Sequence, residues 1–239
     1  LSRFELFFPE TRQFFLENED LFGRFGFPDA RPFFSRRVGL ANGTIRKVTT
    51  EGDTVSVTRN LNVPIKAGMR LSGKLDKNWR IGLLNMQTGQ VSALNQGPAN
   101  YTTAVVQRKM FERSAVSAIF VNKENFSVDD QEKIRHNAGA YNRVAGLEYN
   151  LFSKDNKWEG EFYYHRSFSG KQKNDDAQSA AAFLGYFTQK WNVFSGMQYV
   201  GRDYRAEVGF VPRAGQFSMF NSTKYNFSCG NFANTIHRT

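Results

Sequence analysis

Residues two apart on a β-strand share a face, and Glu159, Glu161, Tyr163 and His165 carry that spacing through two carboxylates, a phenol and an imidazole. Groups of those types on one face can pass a proton. A hydrolytic site needs in addition a nucleophile set at a defined spacing from its histidine, and no Ser or Cys here answers that description. Acid–base catalysis therefore ranks below a plain strand. A second constellation is basic. Lys66, Arg70, Lys74 and Arg80 fall on one face of two neighbouring stretches, where they could form a stripe that attracts anionic solutes or sugars. The simpler expectation is that these cations pair with carboxylates of the same wall, Glu148, Glu159 and Glu161.

Metal chemistry finds little footing. Asp129-Asp130 and Asp175-Asp176 sit in polar segments without the alternating oxygens and central glycine of a calcium loop. The single cysteine, Cys229, cannot form an internal disulfide, and three scattered histidines give no ligand spacing. No cofactor is expected. The net charge of +10 comes from 32 Lys and Arg against 22 Asp and Glu, but the cations alternate with apolar residues instead of clustering. That distribution suits a solvated or lumen-lining surface, and no nucleic-acid partner is expected.

The elements that would position these residues are strands. Period-2 alternation dominates from about residue 65. In Ile65–Leu75, Ala67, Met69, Leu71, Gly73 and Leu75 oppose Lys66, Gly68, Arg70, Ser72 and Lys74. The polar turn Asp76-Lys77-Asn78 leads into a return strand, Trp79–Gln87. Further pairs are Tyr101–Met110 with Ala115–Lys123, Arg143–Phe152 with Trp158–Arg166, and Ala181–Thr188 with Trp191–Val200. A ninth strand is expected around Met219–Phe227.

Connections within pairs are short, whereas those between pairs, Thr88–Asn100, Glu124–Asn142, Ser167–Ala180 and Gly201–Ser218, are long and polar. Outer-membrane barrels alternate short periplasmic turns with long extracellular loops in this way. All three tryptophans, Trp79, Trp158 and Trp191, directly follow a short turn. In a barrel that places them on one rim, as an interfacial aromatic girdle. Composition agrees: aromatics make up 15% of the chain while its mean hydropathy is −0.53, so apolar and polar groups are interleaved. The apolar runs are a few residues long, as in Ala180–Leu184, against the roughly 20 needed for a spanning helix.

Residues 1–42 read as a lead-in of different character, with ten Phe among the first forty residues. Its Arg3, Arg12, Arg36 and Arg37 are placed to pair with Glu5, Glu10, Glu17 and Glu19, in a segment that packs as a structural lead-in or plugs the lumen entrance. The start, Leu1-Ser2-Arg3-Phe4, reads as internal to a longer protein.

Several separated motifs carry a family resemblance. They are the Arg-Phe-rich stretches Arg3–Glu17 and Pro32–Gly39, then Gly68-Met69-Arg70-Leu71-Ser72-Gly73-Lys74 with Trp79-Arg80-Ile81-Gly82-Leu83-Leu84-Asn85. They continue with Glu112-Arg113-Ser114-Ala115-Val116-Ser117-Ala118-Ile119-Phe120 and Ala206-Glu207-Val208-Gly209-Phe210-Val211-Pro212-Arg213. In order and content they resemble a Bacteroidota outer-membrane family of unknown function that joins a family-nine-like carbohydrate-binding domain to a large barrel. The resemblance implies an outer-membrane location and brings no catalytic residues.

The expectation is an all-β antiparallel meander forming part of a transmembrane outer-membrane barrel, with residues 43–239 as its first portion and about nine strands. Its role would be a channel, receptor or assembly component at the cell surface. Its partners would be membrane lipid, glycans or other outer-membrane proteins. Two alternatives stand beside it: an outer-membrane hydrolase with a rim site that depends on His165, and a soluble basic β-sandwich that binds glycan or nucleic acid.

Overall fold

Short polar side chains fasten the turns on which the strands are folded. Asp76 accepts hydrogen bonds from the backbone N–H of Asn78 at 2.6 Å and of Trp79 at 2.7 Å. Ser153 Oγ accepts from Lys157 N and Trp158 N, and Thr188 Oγ1 from Trp191 N. Each tryptophan thus starts a strand at a turn closed by a local cap. A computed structural model describes residues 10–26, 29–48, 54–91, 96–128, 134–170 and 175–227.

Nine strands form one antiparallel sheet in chain order: β3 (Ile65–Lys74), β4 (Trp79–Thr88), β5 (Ala99–Met110), β6 (Ser114–Val128), β7 (Ile134–Phe152), β8 (Trp158–Ser169), β9 (Gln178–Phe187), β10 (Trp191–Val200) and β11 (Gln216–Tyr225). The edges of this meander, β3 and β11, are not paired to one another, so the sheet is open among the described residues. Two further strands, β1 (Leu40–Val48) and β2 (Thr54–Asn62), form a separate antiparallel hairpin. The β6–β7 region differs from expectation. The polar stretch 124–142, expected as a long loop, is mostly strand, with Phe126↔His136 and Val128↔Ile134 paired beyond an irregularity after Glu124. Only residues 129–133, with Asp129 and Asp130, lie outside the described residues there.

The pairing slips steadily against the turns. A row of partners runs Lys74↔Arg80↔Gln107↔Ser117↔Glu148↔Tyr163↔Ala181↔Gln198↔Ser218. It starts at the last residue of β3 and ends seven residues before Tyr225, the last of β11. The turn rim therefore descends by almost one residue per strand.

One face of the sheet is covered by residues 10–26 and 29–38. This segment holds two short helices, α1 (Gln13–Leu16) and α2 (Glu19–Gly23), and a 3-10 turn at Ser35–Arg37. Its Phe15, Leu21, Phe22, Phe25, Ala30, Phe33 and Val38 form one buried cluster with Leu84, Met86, Tyr101, Val105, Ile119, Val121 and Val144 of the sheet. Burying each large side chain contributes about 1.5–3 kcal/mol. Gly82 makes room for the cluster, because a Cβ there would lie 2.6 Å from the Phe22 ring.

The 201–215 connection locks the segment in place. Arg31 N and Phe210 O lie 3.0 Å apart, Phe210 N and Arg31 O 2.9 Å, and Phe34 N donates to Val208 O at 2.8 Å. Gly209 is required at this join, since a Cβ would fall 2.1 Å from Arg31 O. Asn142 then clamps the same connection by donating to Arg205 O and accepting from Glu207 N.

Candidate functional site

The covering segment holds itself by one ionic clasp. Glu10 accepts from Arg12 Nη2 at 2.9 Å and from Ser35 Oγ at 2.6 Å, while Arg12 also donates to Val38 O and Ser35 O. Burial works against the Glu10 charge, but the hydrogen bonds from Arg12 and Ser35 and the Arg12 charge outweigh it. The carboxyl is held down to about 2.

Two cations of the expected basic stripe reach this segment and not the wall carboxylates. Arg70 pairs with Glu17 and donates to Phe14 O. Arg80 pairs with Asp20 at 2.8 Å, and this hydrogen bond, though opposed by burial, holds Asp20 below the usual carboxylate range. Lys66 and Lys74 are exposed, and Lys66 sits at the bulge between Ile65 and Ala67. The expected partnership among the lead-in residues is met at Arg12 with Glu10. Arg3 and Glu5 lie outside the described residues.

Between the segment and the turn-side half of the covered face lies a cavity of about 660 Å³. Its wall collects Arg80, Glu148, Glu159 and Glu161 from the sequence-expected residues and adds Asp20, Arg24, Arg31 and Arg113, with Phe183 and Phe187 as apolar patches. Several of these groups are fixed. Glu148 accepts from Gly26 N at 3.0 Å and from Asn150 Nδ2 at 3.1 Å. Arg80 donates to Gln107 at 3.3 Å, which donates in turn to Ser117 at 3.1 Å. A volume in this range suits a small polar ligand, with pre-oriented donors and acceptors to fix its pose. Among the described residues no cluster of His, Cys, Asp and Glu is arranged to hold a metal ion.

His165 takes no part in the cavity. It is 0% exposed, stacked on Tyr163 with centroids 4.4 Å apart, and lies under the Ala30 backbone. Gly146 creates the space, because a Cβ there would meet His165 Cδ2 at 2.1 Å. Tyr163 accepts from Gln198 Nε2 at 2.8 Å and is bonded to Ser179. The shared face of Glu159, Glu161, Tyr163 and His165 is real, but the imidazole end is packed core. Asp176 is likewise structural: it accepts from Tyr199 Oη and Arg202 N, which hold its carboxyl down.

The opposite face of the sheet is bare. Met69 is 63% exposed, Leu71 59%, Leu147 61%, Phe217 63% and Met219 61%. Trp79, Trp158 and Trp191 all stand on this face at the short-turn end. Trp158 packs on Tyr186 at 4.9 Å, Trp191 on Tyr225 at 4.6 Å, and Trp79 lies under the Arg108 guanidinium at 5.2 Å. Tyr186, Tyr225 and the exposed turn residue Phe111 extend this rim. The sequence did not single them out, although their place beside short turns was readable.

The fold and its two faces define an open antiparallel sheet that carries an internal segment on its charged side. A family model described as a domain of unknown function (DUF5916) matches residues 1–236, and the chain belongs to that family. No curated protein and no solved structure matches it.

Proposed function

We propose that this chain builds part of the wall of an outer-membrane β-barrel, with residues 10–38 as an internal plug, and that the barrel serves as a cell-surface receptor for a polar solute. The observation that carries the reading is the inverted polarity of the sheet. An antiparallel sheet in water covers its apolar face and bares its polar one. Here Met69, Leu71, Leu147, Phe217 and Met219 are bare, while Arg70, Arg80, Lys123, Glu148 and His165 stand on the covered side around the apolar cluster under the segment. A hydrocarbon solvent accounts for that inversion, and a spanning sheet has to close because every backbone group must be paired there.

Among channel, receptor and assembly roles, the cavity with its fixed carboxylates and guanidiniums favours a receptor. Its Phe183 and Phe187 beside polar groups fit a glycan, in keeping with the carbohydrate link that the resemblance implies. The hydrolase reading loses its base with His165 sealed. The nine strands form one sheet, not two facing layers, which leaves the sandwich without support.

The test is heat-dependent gel mobility of the protein taken from outer-membrane fractions, unboiled against boiled. A shift on boiling is expected. A protein that stays in the soluble fraction and shows no shift overturns the proposal.

A further inference from the structure

We propose that Arg143 and Arg166 form a binding site for the phosphate of a phosphorylated outer-leaflet glycolipid, on the outside of the sheet. The inference rests on the membrane reading above.

On the bare faces of β3 to β11 charged side chains are scarce among the described residues: Arg108 at the turn end, and Glu124, Arg143 and Arg166 at the other. Arg166 stands directly opposite Ala145, and Arg143 lies two residues on from Ala145 along the same face. The two guanidinium groups are thus diagonal neighbours on adjacent strands, about 7–8 Å apart at the backbone and within joint reach of one tetrahedral anion.

Neither arginine has a carboxylate partner among the described residues. Arg143 donates Nε to Asn122 Oδ1 at 3.0 Å and lies over the Tyr141 ring at 4.3 Å, and Arg166 lies over Phe168 at 5.8 Å. Glu124, the nearest bare-face carboxylate by register, stands opposite Tyr141, one row further out. An aromatic ring neighbours each guanidinium, and the bond from Arg143 Nε to Asn122 leaves the terminal nitrogens of that group without a carboxylate among the described residues.

Depth argues for a lipid. Arg166 is eight residues on from Trp158, and Arg143 stands opposite Phe168, ten residues on from Trp158, so the pair sits roughly 26–33 Å along the strand from the tryptophan rim. With a strand tilt of about 35–45° this is roughly 20–25 Å of height, at the edge of the ~25 Å apolar band of outer-membrane barrels. Below the pair, Ala145, Leu147, Phe162 and Tyr164 present apolar surface for acyl chains. Two like charges at the upper edge of such a surface are best compensated by a headgroup phosphate.

The experiment compares wild type with the R143Q/R166Q and R143K/R166K variants of the whole protein, purified from outer membranes and reconstituted in phosphatidylcholine vesicles. The vesicles hold lipid A with its phosphates, lipid A without them, or neither plus free inorganic phosphate. Retained lipid A and the temperature of the heat-dependent mobility shift are read together. Wild type should retain phosphorylated lipid A and gain heat resistance from it alone. R143Q/R166Q should lose retention at least about tenfold, the worth of one charge-assisted hydrogen bond, while it still enters the membrane. R143K/R166K should recover part of the loss. If the glutamine variant does not insert, single R166Q, at an exposed position, takes its place. Equal retention by the inserted glutamine variant sinks the site but not the barrel. Protection by free phosphate alone assigns the pair to an ion and overturns the lipid. A wild-type protein without a heat shift overturns the membrane reading and the site together.

Discussion

The two faces of the nine-stranded sheet are built from the same strands by the same alternation, yet they solve opposite problems. On the covered face several polar groups near the segment have named partners: Glu148 takes Gly26 and Asn150, Tyr163 takes Gln198, Asn142 clamps the 201–215 connection. On the bare face the side chains are long and apolar, and polar residues such as Asn85, Asn100 and Thr102 gather towards the long-connection side, where they bond to one another. The difference teaches that covering and apolarity are separate properties. The face with the charges is the one sealed by protein, and the bare face carries the larger share of exposed apolar side chains.

The largest test of the covered face is Phe22→Ala. It empties the space against Gly82 and should cost about 3–5 kcal/mol, read as a lowered denaturation midpoint. Leu147→Arg tests the bare face. In a bilayer it should destabilise by about 2–4 kcal/mol near the midplane, whereas a face in water would change by about 0.5 kcal/mol or less, as surface substitutions do. Urea unfolding in vesicles separates the two outcomes.

The clasp of the segment should respond to acid. The Glu10 carboxyl is held at about 2 against an ordinary 4.5. Its stabilisation is therefore present above pH 4.5 and is lost as pH falls towards about 2. Protease access to residues 10–38 should rise through that window in wild type and be high and flat in Glu10→Gln. The smallest effect is expected for Arg80→Gln, which releases Asp20 at a partly exposed pair and should cost about 0.2–1 kcal/mol, less at high salt. A loss of several kcal/mol instead would mean that this pair, and not the apolar cluster, seats the segment.

Much of this sheet was legible because alternation between a covered face and a bare one writes itself into the chain. Ile65–Leu75 with Trp79–Gln87, and Arg143–Phe152 with Trp158–Arg166, pair as their patterns imply. The strand ends at 124–128 and 134–142 were not legible, since these two stretches scatter their apolar residues without a sustained two-residue period. The β1–β2 hairpin was missed for a related reason: its alternation breaks at Asn42-Gly43 and Arg59-Asn60.

For the site, spacing correctly gave the common face of Glu159 to His165 but could not say what lies above it. That cover is Ala30, 135 residues away in sequence. Likewise Arg70 and Arg80 chose Glu17 and Asp20 over wall carboxylates because the segment crosses their strands, and no local pattern announces that crossing.

The slip of the pairing row against the turns has a geometrical consequence. Seven residues of descent over eight neighbouring pairs correspond to about 23 Å along the strands for about 38 Å across them, using ~3.3 Å per residue and ~4.8 Å between strands. If the turn rim is taken as level, the strands lean from the vertical by roughly 30°, close to the ~35° at which sheets roll into cylinders. The wall is already cut on the bias. Strands added at either edge with the same stagger wind it into a screw-sided tube, and a flat ribbon would require that stagger to vanish.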